Sequence, residues 1–509
     1  MDNITTSNHP QVDIAQLFNA EDFRLTGHRL IDLLSDHLKS QLNHQSEHKR
    51  PVINWRDPAI ENVNWQKSLP IRPTLDTEGL LQQLESTILN NSLSVHHPRN
   101  MGHQVAPPLP IAALCDLVAA LTNQAMAVYE AGPSATMLER QVLAWLCELM
   151  GWKTLGSHSH GFLTSGGAQA NFTALLAARQ VAARHIALSE LSDSQSKVNV
   201  WKDGIGEIKF RILVSEYSHY SISRATGIMG LGTDAVIKIT CDINGGMELT
   251  ALIKAHQQCI ENNEVIIAVV ATAGCTPTGS VDPLKAIGTY CNAQQLWLHV
   301  DGAHGASALL SSQHKQKLAG IELADSVVWD GHKLLYMPAA VSAVLFKDAQ
   351  NSYAAFAQEA SYLFADGHEQ EFTHEYNSSY RTLECTKRMM GLKLWAAFSL
   401  YGTDGLGSII DNVFAKAQVF AEKISMQHEF ELLMPPQTNI VCFRHIKVEF
   451  DAVELNQHQA NVRQSVIRSG EFHITQVEHH GKLWLRTTIM NPLTTAEDFD
   501  ALLVLIKTI

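Results

Sequence analysis

The sequence contains no CxxC pair, no HExxH, and no uninterrupted apolar run of about eighteen residues, so no membrane-spanning helix is expected. Positive charge is scarce. Thirty-eight Lys and Arg stand against 51 Asp and Glu, a formal net charge of −13. That balance argues against a nucleic-acid or anionic-membrane surface. Eight cysteines, Cys115, Cys147, Cys241, Cys259, Cys275, Cys291, Cys385 and Cys442, are scattered, several of them in apolar runs. This is the pattern of buried thiols in a reducing compartment, not of a disulfide frame. No basic stretch leading into an apolar one follows Met1-Asp2-Asn3-Ile4, so no secretory signal is expected and a cytoplasmic location is. The 25 histidines invite a metal site, but His158-Ser159-His160 and His479-His480 lack the spacing that puts two imidazoles on one helix face. No metal is expected.

What is present is a well-buried globular composition, 45% hydrophobic and 17% charged. At 509 residues the chain exceeds one ordinary core. Residues 1–95 read as an N-terminal helical segment. Apolar spacing predicts a helix over 20–41, a connector broken by prolines between Pro51 and Pro73, and a second helix over 77–90. These helices have broad apolar faces and little core of their own, so they are expected to pack on the main domain or on a second subunit. Residues 96–404 read as a large α/β domain, and 405–509 as a smaller α+β domain. In the large domain, helices are predicted over 111–126, 135–150 and 381–401, the last ended by Gly402. Strands are predicted over 210–214, 265–271, 296–300, 326–329 and 341–346. Repeated strand–helix units imply a mostly parallel sheet. In the smaller domain, a helix over 408–426 precedes strand-like runs at 439–443 and 483–489 and a final helix over 495–506. From Ser352 to Tyr380 periodicity is lost, as in a surface loop or an active-site lid.

Two apolar runs end on reactive groups. Leu296-Trp297-Leu298-His299-Val300 delivers Asp301-Gly302-Ala303, and Ser326-Val327-Val328-Trp329 delivers Asp330-Gly331-His332-Lys333. Ligands of open α/β sheets sit outside the carboxyl ends of the strands. A carboxylate and an amine there suit pyridoxal phosphate, which needs an acid opposite its ring nitrogen and a lysine for the Schiff base. Taken singly, each is as well explained as a surface residue after an ordinary strand. The pair gains weight from a phosphate cradle. Gly161-Phe162-Leu163-Thr164-Ser165-Gly166-Gly167-Ala168 runs into an Ala/Leu-rich helix, and small residues at a helix start let backbone N–H groups approach a phosphate. A plain helix cap by Ser165 is the competing reading. His219 lies beyond the strand at 210–214, where an imidazole could stack on a flat ring. Thr276 follows the strand at 265–271.

These residues resemble the group II pyridoxal-phosphate-dependent amino-acid decarboxylases, over nearly the whole chain. The resemblance implies the aminotransferase-like architecture, fold type I, and a homodimer. It implies that Lys333 forms the Schiff base, Asp301 partners the ring nitrogen, Ala303 packs on the ring and His219 stacks on it. Ser165, Gly166, Gly167 and Ala168 would form the phosphate-side turn, and Thr276 and His332 would contact the cofactor. Tyr362, in Ala360-Ser361-Tyr362-Leu363-Phe364, resembles the mobile-loop tyrosine that protonates the substrate carbon, with Tyr376 a second candidate. Arg486 would hold the substrate α-carboxylate and His103 would line the pocket. Two positions depart from the family pattern: Cys275 stands where many members have threonine, and Asp330 where an uncharged polar residue often serves the phosphate. The implied reaction is decarboxylation of an L-amino acid, with small diamino (2,4-diaminobutyrate-like) or acidic substrates ahead of aromatic ones. Transamination, carbon–sulfur cleavage and a silent scaffold that kept the fold are the alternatives.

Overall fold

The computed structural model describes residues 13–42, 50–153, 160–189, 200–356 and 374–509. The chain divides into two compact units, residues 1–100 with 466–473, and residues 101–465 with 474–509. In the first, α1 (Ala20–Leu42), α2 (Pro58–Trp65) and α3 (Thr77–Gln83) follow one another. The predicted helix over 20–41 is present. The proline-broken connector holds a helix that was not expected. Asp57 caps α2 by accepting the Ala59 N–H, and Pro58 takes the first-turn position where its missing donor costs nothing. Phe23, Leu25, Ile31, Ile60, Val63 and Trp65 of this unit are exposed.

In the second unit, α4 (Pro110–Thr122) stops four residues short of the expected 126. Asn123 adopts the left-handed conformation, φ 44°, and closes the helix. Then come α5 (Pro133–Leu149), β1 (Gly161–Thr164), α6 (Gly167–Ser189), α7 (Val200–Asp203), β2 (Phe210–Ser215), α8 (Ser221–Ile228), β3 (Val236–Ile239), α9 (Leu249–Glu261), β4 (Val265–Thr272), α10 (Leu284–Ala293), β5 (Leu298–Asp301), β6 (Ser326–Asp330) and β7 (Ser342–Phe346). The five predicted strands are all here, and β1 and β3 are additions. The seven strands form one sheet in the order β1-β7-β6-β5-β4-β2-β3. Neighbours pair parallel from β6 through β3, while β7 runs antiparallel to both β6 and β1. Six strands therefore point one way and β7 alone is reversed. Their carboxyl ends share one edge.

The strands are apolar throughout because both faces are covered. Alternation sorts them. Leu213, Val269, Ala271, Leu298, Val300 and Val327 join a core with α5, α9, α10 and a later helix, α11 (Gly391–Ser425). Ile212, Val214, Ala268, Val270 and Val328 join a second core with α6 and α8. Each buried Leu, Ile or Val among them contributes about 1.5–3 kcal/mol. The period of two then has a polar consequence: His299 and Asp301 of β5 face the α6 side, opposite to Leu298 and Val300.

The helix predicted over 381–401 starts ten residues later, at Gly391. Gly402, at φ 62° and ψ −178°, interrupts α11 instead of ending it, and the predicted helix over 408–426 is its continuation. A four-stranded antiparallel sheet follows, from β8 (Phe430–Leu432), β9 (Ile440–His445), β10 (Thr475–His479) and β11 (Lys482–Thr488), with α12 (Ala452–Ser469) between β9 and β10. The chain closes with α13 (Ala496–Lys507), whose Thr495 and Asp498 form a reciprocal capping box. Among the described residues no helix is long and apolar enough to cross a membrane, and no cluster of three metal-ligating side chains occurs.

Candidate active site

The shared carboxyl edge of the large sheet opens on a cavity of about 280 Å³. The segments at and beyond five of the strand ends supply its wall. Gly166, Gly167, Ala168 and Asn171 come from the turn after β1 and the start of α6. His219 comes from beyond β2. Thr272, Gly274 and Thr276 come from the end of β4, Asp301, Ala303 and His304 from β5, and Asp330, His332 and Lys333 from β6. Asp301 and Lys333, 32 positions apart (333 − 301), thus face one space. A larger cavity of about 560 Å³ lies where the strands begin, against Ile266, Leu298 and Lys347. None of the predicted site residues lines it.

At one end of the smaller cavity, Asp301 is buried and each of its oxygens accepts one hydrogen bond. Its Oδ1 accepts the Ala303 N–H at 3.2 Å and its Oδ2 accepts Asn171 Nδ2 at 3.0 Å. Asn171 Oδ1 lies 2.9 Å from His299 Nε2, and His299 Nδ1 lies 2.8 Å from Ser326 Oγ. Asn171 Nδ2 also reaches Ser221 Oγ at 3.0 Å, which meets His219 Nδ1 at 2.9 Å. Burial pushes the His219 imidazole below its usual range, partly offset by the Asp301 charge. Burial likewise lowers His299, to about 4, so both rings are neutral near pH 7.

At the other end, Lys333 Nζ lies 3.1 Å from Asp330 Oδ2. Ser342 Oγ donates to Asp330 Oδ1, and His332 Nε2 stands 3.6 Å from Oδ2. His332 Nδ1 lies 2.8 Å from the Val341 carbonyl. Gly167 is pressed against this carboxylate: a Cβ there would sit 2.9 and 3.0 Å from its two oxygens. Beneath, Cys275 turns its thiol to Thr278 and Ser280, at 3.1 Å each, and ties its own turn.

Several predicted residues lie elsewhere. Ser165 is exposed, with its hydroxyl on Gln169 Oε1 at 2.6 Å, and neither lines the cavity nor caps α6. Arg486, on β11, is buried outside the lining. Its Nε donates to the Pro277 carbonyl at 3.2 Å and its Nη1 to Thr475 Oγ1 at 3.2 Å, while Nη2 finds no partner among the described residues. Partial burial and the charges of Arg486 and Arg463 push the imidazole of His103 below its usual range; at residue level His103 is exposed. Tyr376 packs under the Arg140 guanidinium, 4.4 Å from ring to Cζ, and beside Tyr129. It does not line the cavity. Tyr362 lies outside the described residues. The residues missed from the sequence are Asn171, Thr272, Gly274 and His304, and Asp330 had been noted only as a departure. His299 carried a readable signal: it is a polar residue on an otherwise apolar buried strand.

The model of the pyridoxal-dependent decarboxylase conserved domain matches residues 61–446. An L-2,4-diaminobutyrate decarboxylase from Acinetobacter baumannii is 30% identical over 444 residues, 86% of this chain and 85% of that protein. The mouse acidic amino acid decarboxylase GADL1 is 28% identical, over 89% of this chain and 80% of its own. Among solved structures, the glutamate decarboxylase domain of a Vibrio parahaemolyticus diaminobutyrate-pyruvate transaminase and L-2,4-diaminobutyrate decarboxylase superposes with a TM-score of 0.78. It is 28% identical and covers 94% of this chain and 95% of its own.

Proposed function

Because this chain belongs to the pyridoxal-dependent decarboxylases, we propose that Lys333 and Asp301 are the pair that works on its cofactor, pyridoxal 5'-phosphate. The observation that carries this is their joint opening on one cavity beside the glycine-rich start of α6. The donor set fits the group. A carboxylate stands ready for a ring N–H, an imidazole and Ala303 for the ring faces, and a primary amine for the aldehyde. A cradle whose Gly167 leaves no room for a Cβ suits the phosphate. The α6 N-terminus adds backbone N–H groups and positive dipole there.

When bound, pyridoxal phosphate supplies a protonated ring that takes up the electron pair left as a carboxylate departs as CO₂. The residues around it orient and hold protons. Asp301 is assigned to keep the proton on the ring nitrogen, since an opposite charge nearby favours both charged forms. Lys333 is assigned to anchor the cofactor, and Thr276 and His332 to contact it. Arg486, with one nitrogen unpartnered among the described residues, is assigned to draw the substrate carboxylate; such positioning supplies up to about 7–11 kcal/mol in favourable cases. Tyr362 is assigned the proton donor on the strength of the resemblance, a role worth roughly 10²–10⁴-fold. We predict that Tyr362→Phe keeps cofactor binding and loses amine release. Unchanged amine production would remove Tyr362 from the mechanism.

The reaction is amino-acid decarboxylation, and transamination and carbon–sulfur cleavage are not favoured by the relatives. For the substrate we favour a small diamino acid such as L-2,4-diaminobutyrate, then an acidic amino acid, as the relatives' names suggest. Purified protein offered a panel of L-amino acids should release CO₂ and the matching amine from one of these two classes. A preference for aromatic amino acids would overturn the ranking. We also favour a homodimer, supported by the exposed apolar side chains of α1 and α2, and a cytoplasmic location, supported by eight free thiols. Light scattering at micromolar concentration should give twice the monomer mass.

A further inference from the structure

The assignment of Asp301 to the ring nitrogen leaves a question: what holds that carboxylate in place, buried at the end of a strand? A carboxylate only accepts hydrogen bonds, so the Asn171 atom 3.0 Å from Asp301 Oδ2 must be its amide nitrogen. The other end of the amide, Oδ1, therefore faces His299, and His299 Nε2 carries the proton across 2.9 Å. A neutral imidazole has one proton, so its Nδ1 is bare and takes the Ser326 hydroxyl proton at 2.8 Å. The lone pair of Ser326 Oγ in turn accepts Trp297 Nε1–H, which can only donate, at 2.9 Å. Four hydrogen bonds run in a single direction, from Trp297 through Ser326, His299 and Asn171, and end on Asp301.

The placement follows from the fold. His299 and Asp301 alternate onto the α6 side of β5, Ser326 is the β6 partner of His299, and Asn171 sits one helical turn into α6. Asn171, His299 and Ser326 are each no more than 1% exposed. Bonds aligned this way polarise one another in a low dielectric. The second Asn171 N–H goes to Ser221 Oγ. Both the Ser221 hydroxyl and its backbone N–H approach His219 Nδ1, at 2.9 and 3.3 Å, so His219 carries its proton on Nε2.

The geometry points to Asn171 as a positioning residue, backed by His299 and Ser326, that fixes the acceptor strength of Asp301 and the tautomer of His219 together. One amide thus governs both the edge and the face of the space where the cofactor ring is assigned. The inference rests on that assignment of Asp301. The other titratable groups near His219 are Lys333, Asp330, Arg224 and Tyr220, whose ring lies 4.1 Å from the imidazole, and the variants below leave all four in place.

The test uses the full-length holoenzyme, without substrate. The pH titration of the bound cofactor's visible absorbance and the pyridoxal phosphate dissociation constant are measured for Asn171→Ala, His299→Leu, His299→Gln, Ser326→Ala and Asp301→Asn. Asn171→Ala is expected to move the titration midpoint and to raise the dissociation constant about 10- to 100-fold, the worth of a hydrogen bond to a charged group. His299→Gln, which keeps a donor toward Asn171, is expected to lie between the wild type and His299→Leu. Ser326→Ala should shift the midpoint in the same direction by less. In turnover, kcat should fall with KM little changed. If the Asn171 and His299 variants lose thermal stability while their titrations superimpose on the wild type, their role is structural packing and the inference falls. Should Asn171→Ala fail to fold, the ordering of the two His299 variants decides alone. If Asp301→Asn also leaves the titration unmoved, the ring-nitrogen assignment itself is wrong.

Discussion

The two ends of the cavity are built on opposite plans. Around Asp301 the side chains of Asn171, His299, Ser326 and Ser221 are buried and bonded in one network, and they come from α6, β5, β6 and the start of α8. Around Gly166 and Gly167 the wall is a helix start, and the buried charge beside it, Asp330, is negative and held by Lys333 and Ser342. The first end is set by folding before any ligand arrives. The second is left open for a ligand that brings its own charge. A group that is cationic at one edge and anionic at the other matches this asymmetry.

The sharpest way to break the comparison is at the crowded end. Asp301→Asn should cut kcat on the order of 10²–10³-fold, the usual cost of removing one preorganised electrostatic partner. Carbon dioxide release under saturating cofactor would measure it. A loss no greater than that from a phosphate-end variant would mean the two ends matter equally.

The same contrast explains what was legible in the sequence. The phosphate-side turn is local, so Thr164-Ser165-Gly166-Gly167-Ala168 could be read as a helix start of small residues, although Ser165 in fact points away. Asp301 and Lys333 were legible because each directly follows an apolar strand. The Asn171–His299–Ser326 chain was not, because its members are 128 and 27 residues apart and meet only through strand register and helix packing. Gly402 was readable as a break and the helix over 408–426 as a helix, but not that the two are one interrupted helix, α11. Arg486 reached its role only through resemblance, since nothing local marks a strand arginine as facing Pro277 and Gly102.

Acid should separate the ends next. His299 is held neutral at about 4 by burial, against about 6.5 when unfolded. Between those values the folded state binds fewer protons than the unfolded one. Its contribution is therefore complete above about pH 6.5 and is lost as pH falls toward 4, by up to about 1.4 kcal/mol for each pH unit. Thermal melts of the apoprotein should show this loss, and His299→Gln should flatten it over the same window. No such slope is expected from Gly167 variants. A slope unchanged in His299→Gln would mean that other buried histidines, such as His304 at about 3, carry it.

At the open end, Gly167→Ala introduces a methyl group 2.9 Å from Asp330 Oδ1, closer than carbon and oxygen tolerate. Either the carboxylate or the helix start must shift. Cofactor affinity should drop about tenfold, near 1.4 kcal/mol, while the apoprotein melts within a few degrees of the wild type. Equilibrium dialysis with pyridoxal phosphate would measure the first and calorimetry the second. A large loss of apoprotein stability would show this end to be as tightly preset as the other.

Asp330→Asn makes the smallest change and has the most informative sign. The substitution keeps the shape and still offers an oxygen to the Ser342 hydroxyl. It removes a negative charge that sits against Gly167, where the phosphate is assigned, and that is otherwise spent on Lys333. With the cofactor bound, the Asp330 carboxylate would face the phosphate, an anion, across the Gly167 turn. Asp330→Asn should therefore bind pyridoxal phosphate severalfold more tightly, about 1 kcal/mol. The gain should shrink in high salt, where the repulsion is screened. It should also shrink below about pH 6, where a phosphate monoester takes up a proton and carries less charge. Weaker binding by the variant would mean that Asp330 serves by aiming Lys333. The open end would then be prearranged after all, by an ion pair in place of a hydrogen-bond chain.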